Sequence, residues 1–469
     1  MSESLLQIHE RAPFIAGAQT SAGKALVWLA GCGLLAWHGA PLLMLPAFTL
    51  VLLWPRHRRG LLALAALGMI AARFLPQALP WDEGFHAGWL RFLASTAIGV
   101  AAVLLMVWGA LRFDRLPAAI RARPILWLHV LAGIALATGV WTEIWLLTLA
   151  PVLLWRASYL YRTAAAGRAA GTRFRDHLMY LMPVFGGTNT PYGKGLEYLN
   201  RTEARTPEAF ARSQLAGIRL LLLAVALGVL LDLLLVLAHG QPDTLFRGAF
   251  AGWSPRLPTL GQVIATAADP RAAVGWAAVY LHLIVTTTKL ATYGHVVVGA
   301  LRLLGFNVFR NTYKPLYSTS IVEFWNRFYY YFKELLVEMF FYPAFYRSGW
   351  ASPRVRILIA VLAAAFAGNA YYHLLRDYRI VFAGDWPAIA TYWIPRLIYC
   401  LLLAIGIWLS MLRQQELRKR SGPPAGGLRR LRAIAGVWTY FGLLQVWLVE
   451  PEVAGAARRS GFFASLAGF

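Results

Sequence analysis

Long apolar runs recur along the whole chain, and short polar segments separate them. A helix that crosses the hydrocarbon core of a bilayer needs about 20 mostly apolar residues. The runs therefore predict an all-α, polytopic membrane protein with about 11 transmembrane helices, within limits of about 9 and 12, and further amphipathic helices at the interface. The predicted spans are 25–38, 41–54, 60–78, 88–111, 124–138, 140–155, 213–238, 271–304, 357–375, 387–411 and 432–449.

The lengths of the runs indicate how the chain is organised. The pairs of runs within 25–54 and 124–155 are short enough for hairpins that cross only part of the membrane. The run 271–304 is long enough for a tilted or broken helix. The predicted divisions are a cytoplasmic N-terminal segment at 1–24, a single transmembrane domain at 25–449 and a C-terminal tail at 450–469.

Composition excludes an ordinary soluble protein. Hydrophobic residues make up 59% of the chain and charged residues 14%, and the mean hydropathy is +0.54. A soluble domain carries about 25% charged residues. The polar residues are therefore too few to cover a water-facing surface.

The net charge of +24 is concentrated in arginine clusters between the apolar runs, as at 55–60 and 412–432. This pattern is typical of cytoplasmic loops beside anionic lipids, and we expect membrane lipids rather than nucleic acid as partners. The segment 80–87 is acidic and is expected outside. These assignments predict a multi-pass protein of the plasma (bacterial inner) membrane with a cytoplasmic N-terminus.

Cys32 and Cys400 both lie in apolar runs. Neither a disulfide framework nor a thiolate metal site is predicted, and no metal ligands are assigned.

Within the segment 314–343, the residues from Ser320 onwards have the pattern of one amphipathic helix at the inner interface. Ser320 and Glu323 form a capping box at its start, and proline is expected to end it near Tyr342 and Pro343. Aromatic and aliphatic residues share one face. The opposite face carries Glu323, Arg327, Glu334 and Glu338. A peripheral anchor helix is the simplest interpretation of this periodicity.

His373 lies within the predicted span 357–375, close to Asn369, Tyr371 and Tyr372. An ionisable residue inside a transmembrane helix is a candidate functional residue, because burying it in lipid is costly. Its ordinary pKa near 6.5 suits a general base. A hydrogen-bond partner between helices and a residue of the interfacial aromatic belt are the alternatives.

These two features together resemble the membrane-bound O-acyltransferase family. In the bacterial branch, which includes D-alanyl and alginate-acetylating members, the interfacial segment reads approximately Arg-Pro-x-x-Ser-x-Ser-x-x-Asp-Phe-Trp-Arg-Arg-Trp-His. The catalytic histidine of the family follows in the next spanning helix, where this chain has His373. The resemblance covers 310–375, and the residues that keep register without a gap are Pro315, Ser318, Ser320, Glu323, Phe324, Trp325 and Arg327.

The resemblance implies transfer of an acyl group from a thioester to a hydroxyl of an exported glycan or lipid, with His373 as the base. The donor would be acyl-CoA or an acyl carrier protein on the cytoplasmic side. No bound cofactor is implied, and a carrier protein or a periplasmic acyltransferase is a possible partner. Tyr329 stands where the family has its first histidine, and Asn326 is a second polar candidate. Tunnel candidates are Asn369, Tyr372, Trp325 and Arg327.

Four further polar residues are candidates, and three of them have a second interpretation. His282 and Lys289 share a helix face, so they either line the tunnel or, for Lys289, form a structural pair with Asp232. Arg310 and Lys314 either bind donor phosphates or face lipid headgroups.

The sequence departs from the family at Tyr329 and in the approach to His373, where the usual Gly-Leu-Trp-His is absent. A non-catalytic homologue and a transporter or scaffold for lipid-linked glycans are the competing interpretations.

Overall fold

The computed structural model describes residues 7–74, 85–137, 144–167, 171–181, 194–240, 245–246, 248–250, 257–266, 272–419, 427–449 and 455–468. Within these ranges the chain is helical and forms no strand apart from an isolated bridge between Glu203 and Phe306. The all-α prediction is confirmed.

The chain divides into two units. One comprises residues 1–223 and 295–309, and the other comprises 224–294 and 310–469. Before residue 240 the α-helices are Ala12–Gln19, Ser21–Trp37, Met44–Leu53, Arg58–Phe74, Phe85–Leu111, Ala118–Ala122, Pro124–Ala137, Ile144–Ala165, Phe174–Leu181, Leu196–Thr202 and Pro207–His239. After it they are Leu260–Thr266, Ala272–Leu303, Ile321–Phe328, Tyr330–Leu336, Tyr342–Arg347, Pro353–Val361, Asn369–Arg376, Tyr378–Phe382, Trp386–Lys419, Gly427–Gln445 and Ala456–Leu466, with π-helical turns at Val337–Phe341 and Leu362–Gly368.

Helices long and apolar enough to cross a membrane are present, which confirms the membrane-like character of the chain. Among the described residues there are 5: Phe92–Leu111, Pro207–His239, Ala272–Leu303, Pro353–Arg376 and Trp386–Leu417. The predicted count of about 11 is not reached. Met44–Leu53 has 10 residues and is about 15 Å long, half of a bilayer core of about 30 Å. Gly427–Gln445 begins with Arg429, Arg430 and Arg432, which shorten its apolar part.

Glycines allow two helices of the first unit to pack closely. The backbone of Gly217 lies against that of Gly299, where any side chain would collide with the neighbouring helix. Next to this contact, Ser213 Oγ donates to the carbonyl of Arg302 at 2.8 Å. Gln214 Nε2 donates to the carbonyl of Leu303 at 3.3 Å. The carbonyls that remain free at the end of Ala272–Leu303 are thus satisfied by polar side chains.

The core of the second unit joins Pro353–Arg376 to Trp386–Lys419, Gly427–Gln445 and the interfacial segment. Phe324 is buried and its ring stacks on that of Phe441, with centroids 3.8 Å apart. Trp438 Nε1 donates to the carbonyl of Leu316 at 2.8 Å. The interfacial segment is therefore packed into the unit rather than lying free on a membrane surface.

The interfacial segment is not the single helix that the periodicity predicts. It breaks at Tyr329, whose φ of −143° and ψ of 72° are not helical. Residues 311–313 cross the break: Tyr313 N–H donates to the carbonyl of Arg327 at 2.8 Å, and Tyr330 N–H donates to that of Asn311 at 2.9 Å. Residues 311–313 thus replace the backbone hydrogen bonds that are missing where the helix is interrupted.

The predicted helix end at Pro343 is also wrong. The π-helical turn Val337–Phe341 leads directly into Tyr342–Arg347, so the chain stays helical past the proline. Pro343 lies at the start of that helix, where the missing N–H is tolerated. The capping at the other end is confirmed, because Ser320 Oγ accepts from Glu323 N–H at 3.1 Å and Glu323 Oε2 accepts from Thr319 N–H at 2.7 Å.

Candidate functional site

A π-helical turn, Leu362–Gly368, interrupts the candidate membrane-spanning helix that carries His373. Such a turn inserts extra backbone and rotates the residues after it, and π-turns occur often at functional sites. Gly368 closes the turn, and the ring of Phe340 lies directly against it. A side chain at this position would collide with that ring, so glycine lets the two π-helical segments approach each other.

His373 follows one turn later and is buried, with 8% of its surface exposed. Its Nδ1 lies 3.1 Å from Nη1 of Arg396, which belongs to the helix Trp386–Lys419. A guanidinium group has donors and no acceptor, so Nδ1 must accept this hydrogen bond. The neutral imidazole then carries its proton on Nε2, which has no hydrogen-bond partner in the described part of the chain.

Asp377 holds the arginine in place. Arg396 Nη1 donates to Asp377 Oδ2 at 3.1 Å, and the hydroxyl of Tyr392 donates to the same oxygen at 2.5 Å. Arg376 donates to both carboxylate oxygens, at 2.8 and 2.7 Å. Burial acts to raise the pKa of Asp377, but the hydrogen bonds from Arg376 and Tyr392 and the charges of Arg376 and Arg396 outweigh it, so the pKa lies below its ordinary value.

Asn369 lies one helical turn before His373 on the same helix, and 1% of its surface is exposed. Its Oδ1 is buried and accepts no hydrogen bond among the described residues. A buried polar atom without a partner costs stability and calls for an explanation. The arrangement leaves one acceptor on Asn369 and one donor on His373, both on the same helix.

Aromatic contacts connect the interfacial segment to this centre. The ring of Phe332 lies 4.5 Å from that of Tyr372, edge to face. Phe332 also contacts Tyr329, at 5.7 Å, and Trp325, at 6.1 Å. Tyr372 in turn lies 5.9 Å from the ring of His373. The predicted tunnel residues Trp325 and Tyr372 and the predicted catalytic residue Tyr329 are therefore linked to His373 through Phe332.

Two other residues of the interfacial segment have different surroundings. Arg327 forms an ion pair with Glu323 at 2.6 Å, and both side chains are partly exposed. Asn326 is exposed. The structure gives neither residue a described contact with His373.

His282 and Lys289 are predicted to share a face of the helix Ala272–Leu303, and neither residue is buried. Lys289 is exposed and His282 is half-buried. No ion pair joins Lys289 to Asp232, although both residues are described, so the predicted structural pair is wrong.

Arg310 and Lys314 both lie near the ring of Tyr313, each with its cationic group 5.7 Å from the ring centroid. Lys314 is exposed and has a φ of 49°, in the left-handed region. The following Pro315 begins a short 3-10 turn. The result is an exposed aromatic ring with two cations, outside the buried centre around His373.

Arg396 and Asp377 are the site residues that the sequence analysis missed. Arg396 lies inside the apolar run 387–411, and a charge inside such a run is the signal that could have identified it. Asp377 follows the end of the His373 helix, where it could be mistaken for an ordinary loop charge. No group of acidic, histidine or cysteine residues that could bind a metal ion is found in the described residues.

No family model matches this chain, and no curated protein matches it. The resemblance to the O-acyltransferases therefore rests on the residues quoted for it alone.

Proposed function

We propose that this chain is a membrane-embedded acyltransferase, which moves an acyl group from a thioester to a hydroxyl of an exported glycan or lipid at His373. The observation that carries the proposal is the buried imidazole. Its Nδ1 is fixed by Arg396, its Nε2 has no partner among the described residues, and the unpartnered Oδ1 of Asn369 lies one turn away.

The reaction forms a bond from the acceptor oxygen to the thioester carbonyl carbon and breaks the bond from that carbon to sulfur. The proton of the hydroxyl ends on the departing sulfur. With Arg396 on Nδ1, His373 donates from Nε2, and its position suits the carbonyl oxygen on which negative charge develops. Asn369 Oδ1 would accept from the hydroxyl of the acceptor and orient it.

The base role expected from the sequence requires a different state. A histidine that takes a proton at Nε2 carries a proton on Nδ1, so Arg396 must first release Nδ1. The two roles therefore differ in what Arg396 does. If Arg396 holds His373 in the reactive tautomer, removing Arg396 slows transfer. If Arg396 instead prevents His373 from acting as a base, removing Arg396 accelerates transfer.

The remaining parts of the proposal follow from charge and position. The arginine-rich loops support a cytoplasmic N-terminus and the bacterial inner membrane as the location. His373 lies near the Arg376 end of Pro353–Arg376, so in this orientation it would face the outer side. Arg310 and Lys314 would contact phosphates of a coenzyme A or carrier-protein donor on the inner side.

The test is label transfer in isolated membranes supplied with acyl-CoA or acyl carrier protein thioesters. His373→Ala is expected to lower incorporation into the lipid or glycan fraction at least about 100-fold, the usual range for losing either an oxyanion donor or an acid–base group. His38→Ala is the control, because His38 also lies at a helix end and its ring also makes one hydrogen bond, to the carbonyl of Leu221 at 3.2 Å. Equal incorporation by both variants at equal protein amounts would refute the assignment.

A second candidate is a non-catalytic homologue that binds or transports a lipid-linked glycan. The observation that favours it is the same contact, because a histidine that accepts from Arg396 ties two transmembrane helices together. In that case His373→Gln and Arg396→Gln would lower thermal stability equally. No thioester would then label any product with the wild-type protein.

A further inference from the structure

An apolar groove and a basic pocket adjoin each other in the first unit. The groove has a volume of about 610 Å³ and is lined by Trp54, His57, Gly60, Leu61, Ala63, Leu64, Leu67, Arg175 and Leu178. The pocket has a volume of about 300 Å³ and is lined by Arg56, His57, Arg59, Gly60, Gly171, Arg173, Arg175, Asp176 and Glu203. They share His57, Gly60 and Arg175, so one molecule could occupy both.

The carboxylates of the pocket are already neutralised by two arginines. Arg59 contacts Asp176 at 3.2 Å and Glu203 at 2.5 Å. Arg58 is buried, contacts Glu203 at 3.3 Å and donates to the carbonyls of Gly305 and Ala204. The hydrogen bonds that Arg59 donates to Glu203 raise the pKa of Arg59, so this arginine stays charged. Asp176 and Glu203 are therefore paired with Arg58 and Arg59, and they do not neutralise the other arginines of the pocket.

Three arginines of the pocket have no such partner. Arg56, Arg173 and Arg175 are exposed and form no ion pair within the described residues. His57 is exposed beside them. The pocket thus presents a surplus of three positive charges, which is complementary to a phosphate group.

The apolar groove begins at the basic pocket and runs along the helix Arg58–Phe74. Leu61, Leu64 and Leu67 follow each other at helical spacing on Arg58–Phe74, and Leu178 contributes from Phe174–Leu181. From Arg58 to Leu67 the helix rises about 14 Å, and Arg56 lies in the turn just before it. Trp54 lies at the basic end with 52% of its surface exposed, and tryptophan is enriched at the headgroup level of membranes.

We propose that this site binds one anionic glycerophospholipid, with its phosphate among Arg56, Arg173 and Arg175 and one acyl chain along Leu61, Leu64 and Leu67. A free phosphate would leave the apolar groove unoccupied. A zwitterionic lipid would add a positive charge to a pocket that already has a surplus. The lipid site does not depend on the acyl-transfer proposal, because it uses none of the residues around His373.

The experiment measures lipid retention and thermal stability of the full-length protein, purified in detergent and stripped of lipid. Phosphatidylglycerol is expected to bind and to raise the melting temperature, and phosphatidylcholine is not. The triple variant Arg56→Gln, Arg173→Gln, Arg175→Gln should weaken phosphatidylglycerol binding roughly 100-fold, because each basic group near a membrane contributes several-fold. Leu64→Gln should weaken it roughly 10-fold, since a polar group then lies in the path of the chain.

The matched control is Arg115→Gln, Arg121→Gln, Arg123→Gln, which removes three exposed arginines from another loop of the same unit. An equal loss of binding in this control would overturn the proposal, because general surface charge would explain the result. So would full competition by inorganic phosphate, equal binding of phosphatidylcholine, or retention of a long-chain acyl-CoA in place of the phospholipid. If a variant fails to fold, native mass spectrometry of lipids retained by the wild-type protein decides between the same outcomes.

Discussion

Both units bury arginine against carboxylate, and the two clusters differ in what they leave unpaired. In the first unit, Arg58 and Arg59 share Asp176 and Glu203, and backbone carbonyls take the remaining donors. In the second, Arg396 divides its donors between Asp377 and His373. The first cluster is closed on itself and supports a surface pocket. The second ends on an imidazole nitrogen that has no partner among the described residues, which is what chemistry at a buried site requires.

The largest effect is expected on removing Arg58, the arginine at the centre of the first cluster. Arg58→Gln leaves the carbonyls of Gly305 and Ala204 without their donor and is expected to cost about 3 to 5 kcal/mol of stability. Transfer activity per folded molecule should not change. Thermal unfolding in detergent with activity normalised to folded protein measures both effects.

Arg396→Gln is expected to cost less stability, about 1 to 3 kcal/mol, because Arg376 and Tyr392 still contact Asp377. It should nevertheless lower transfer about 10-fold, since His373 loses the contact that sets its tautomer. Arg327→Gln, which breaks a partly exposed ion pair, is the control and should cost at most about 1 kcal/mol. Faster transfer by Arg396→Gln would instead assign the base role to His373.

Asn369→Leu separates stability from activity within the second cluster. Because Oδ1 of Asn369 is buried and has no partner in the described part of the chain, replacing the amide by an apolar group of similar size should leave stability unchanged or raise it by about 1 kcal/mol. Transfer should fall about 10-fold if the oxygen orients the acceptor. A variant that is less stable and equally active would mean that Asn369 has an unseen structural role.

The smallest expected effect is the loss of the stability that Asp377 contributes when the pH is lowered. Since the pKa of Asp377 lies below its ordinary 3.8, the carboxylate contributes stability that is fully present above that value and is lost as the pH falls through the folded-state pKa. Asp377→Asn should therefore lower the melting temperature at pH 7, and the difference from wild type should shrink below about pH 4. Asp114→Asn, at an exposed position without a described ion pair, is the control and should leave the melting temperature at pH 7 unchanged.

Sequence patterns predict the local features of this molecule well. Apolar runs indicate its helices, the Ser320 cap is visible from spacing, and the cost of burying an ionisable group singles out His373. Asn369 and Tyr372 follow because they are neighbours of His373 in the sequence.

Features that depend on distant contacts are not predicted. The break at Tyr329 exists because residues 311–313 take over its hydrogen bonds, and a helical periodicity contains no sign of this. The pairing of Lys289 with Asp232 is chemically reasonable but requires two helices to present these residues to each other, and they do not. The contact of Arg396 with His373 spans 23 residues and two transmembrane helices, so only packing determines it.

The measurement that tests the central claim most directly uses the purified protein in liposomes that contain a candidate hydroxyl acceptor. Labelled acyl thioester is supplied, and the product is identified by mass spectrometry and by release of the label with hydroxylamine, which cleaves esters. The account predicts an O-linked ester formed by the wild type and the His38→Ala variant, with at least about 100-fold less formed by His373→Ala. Undiminished ester formation by His373→Ala would contradict it.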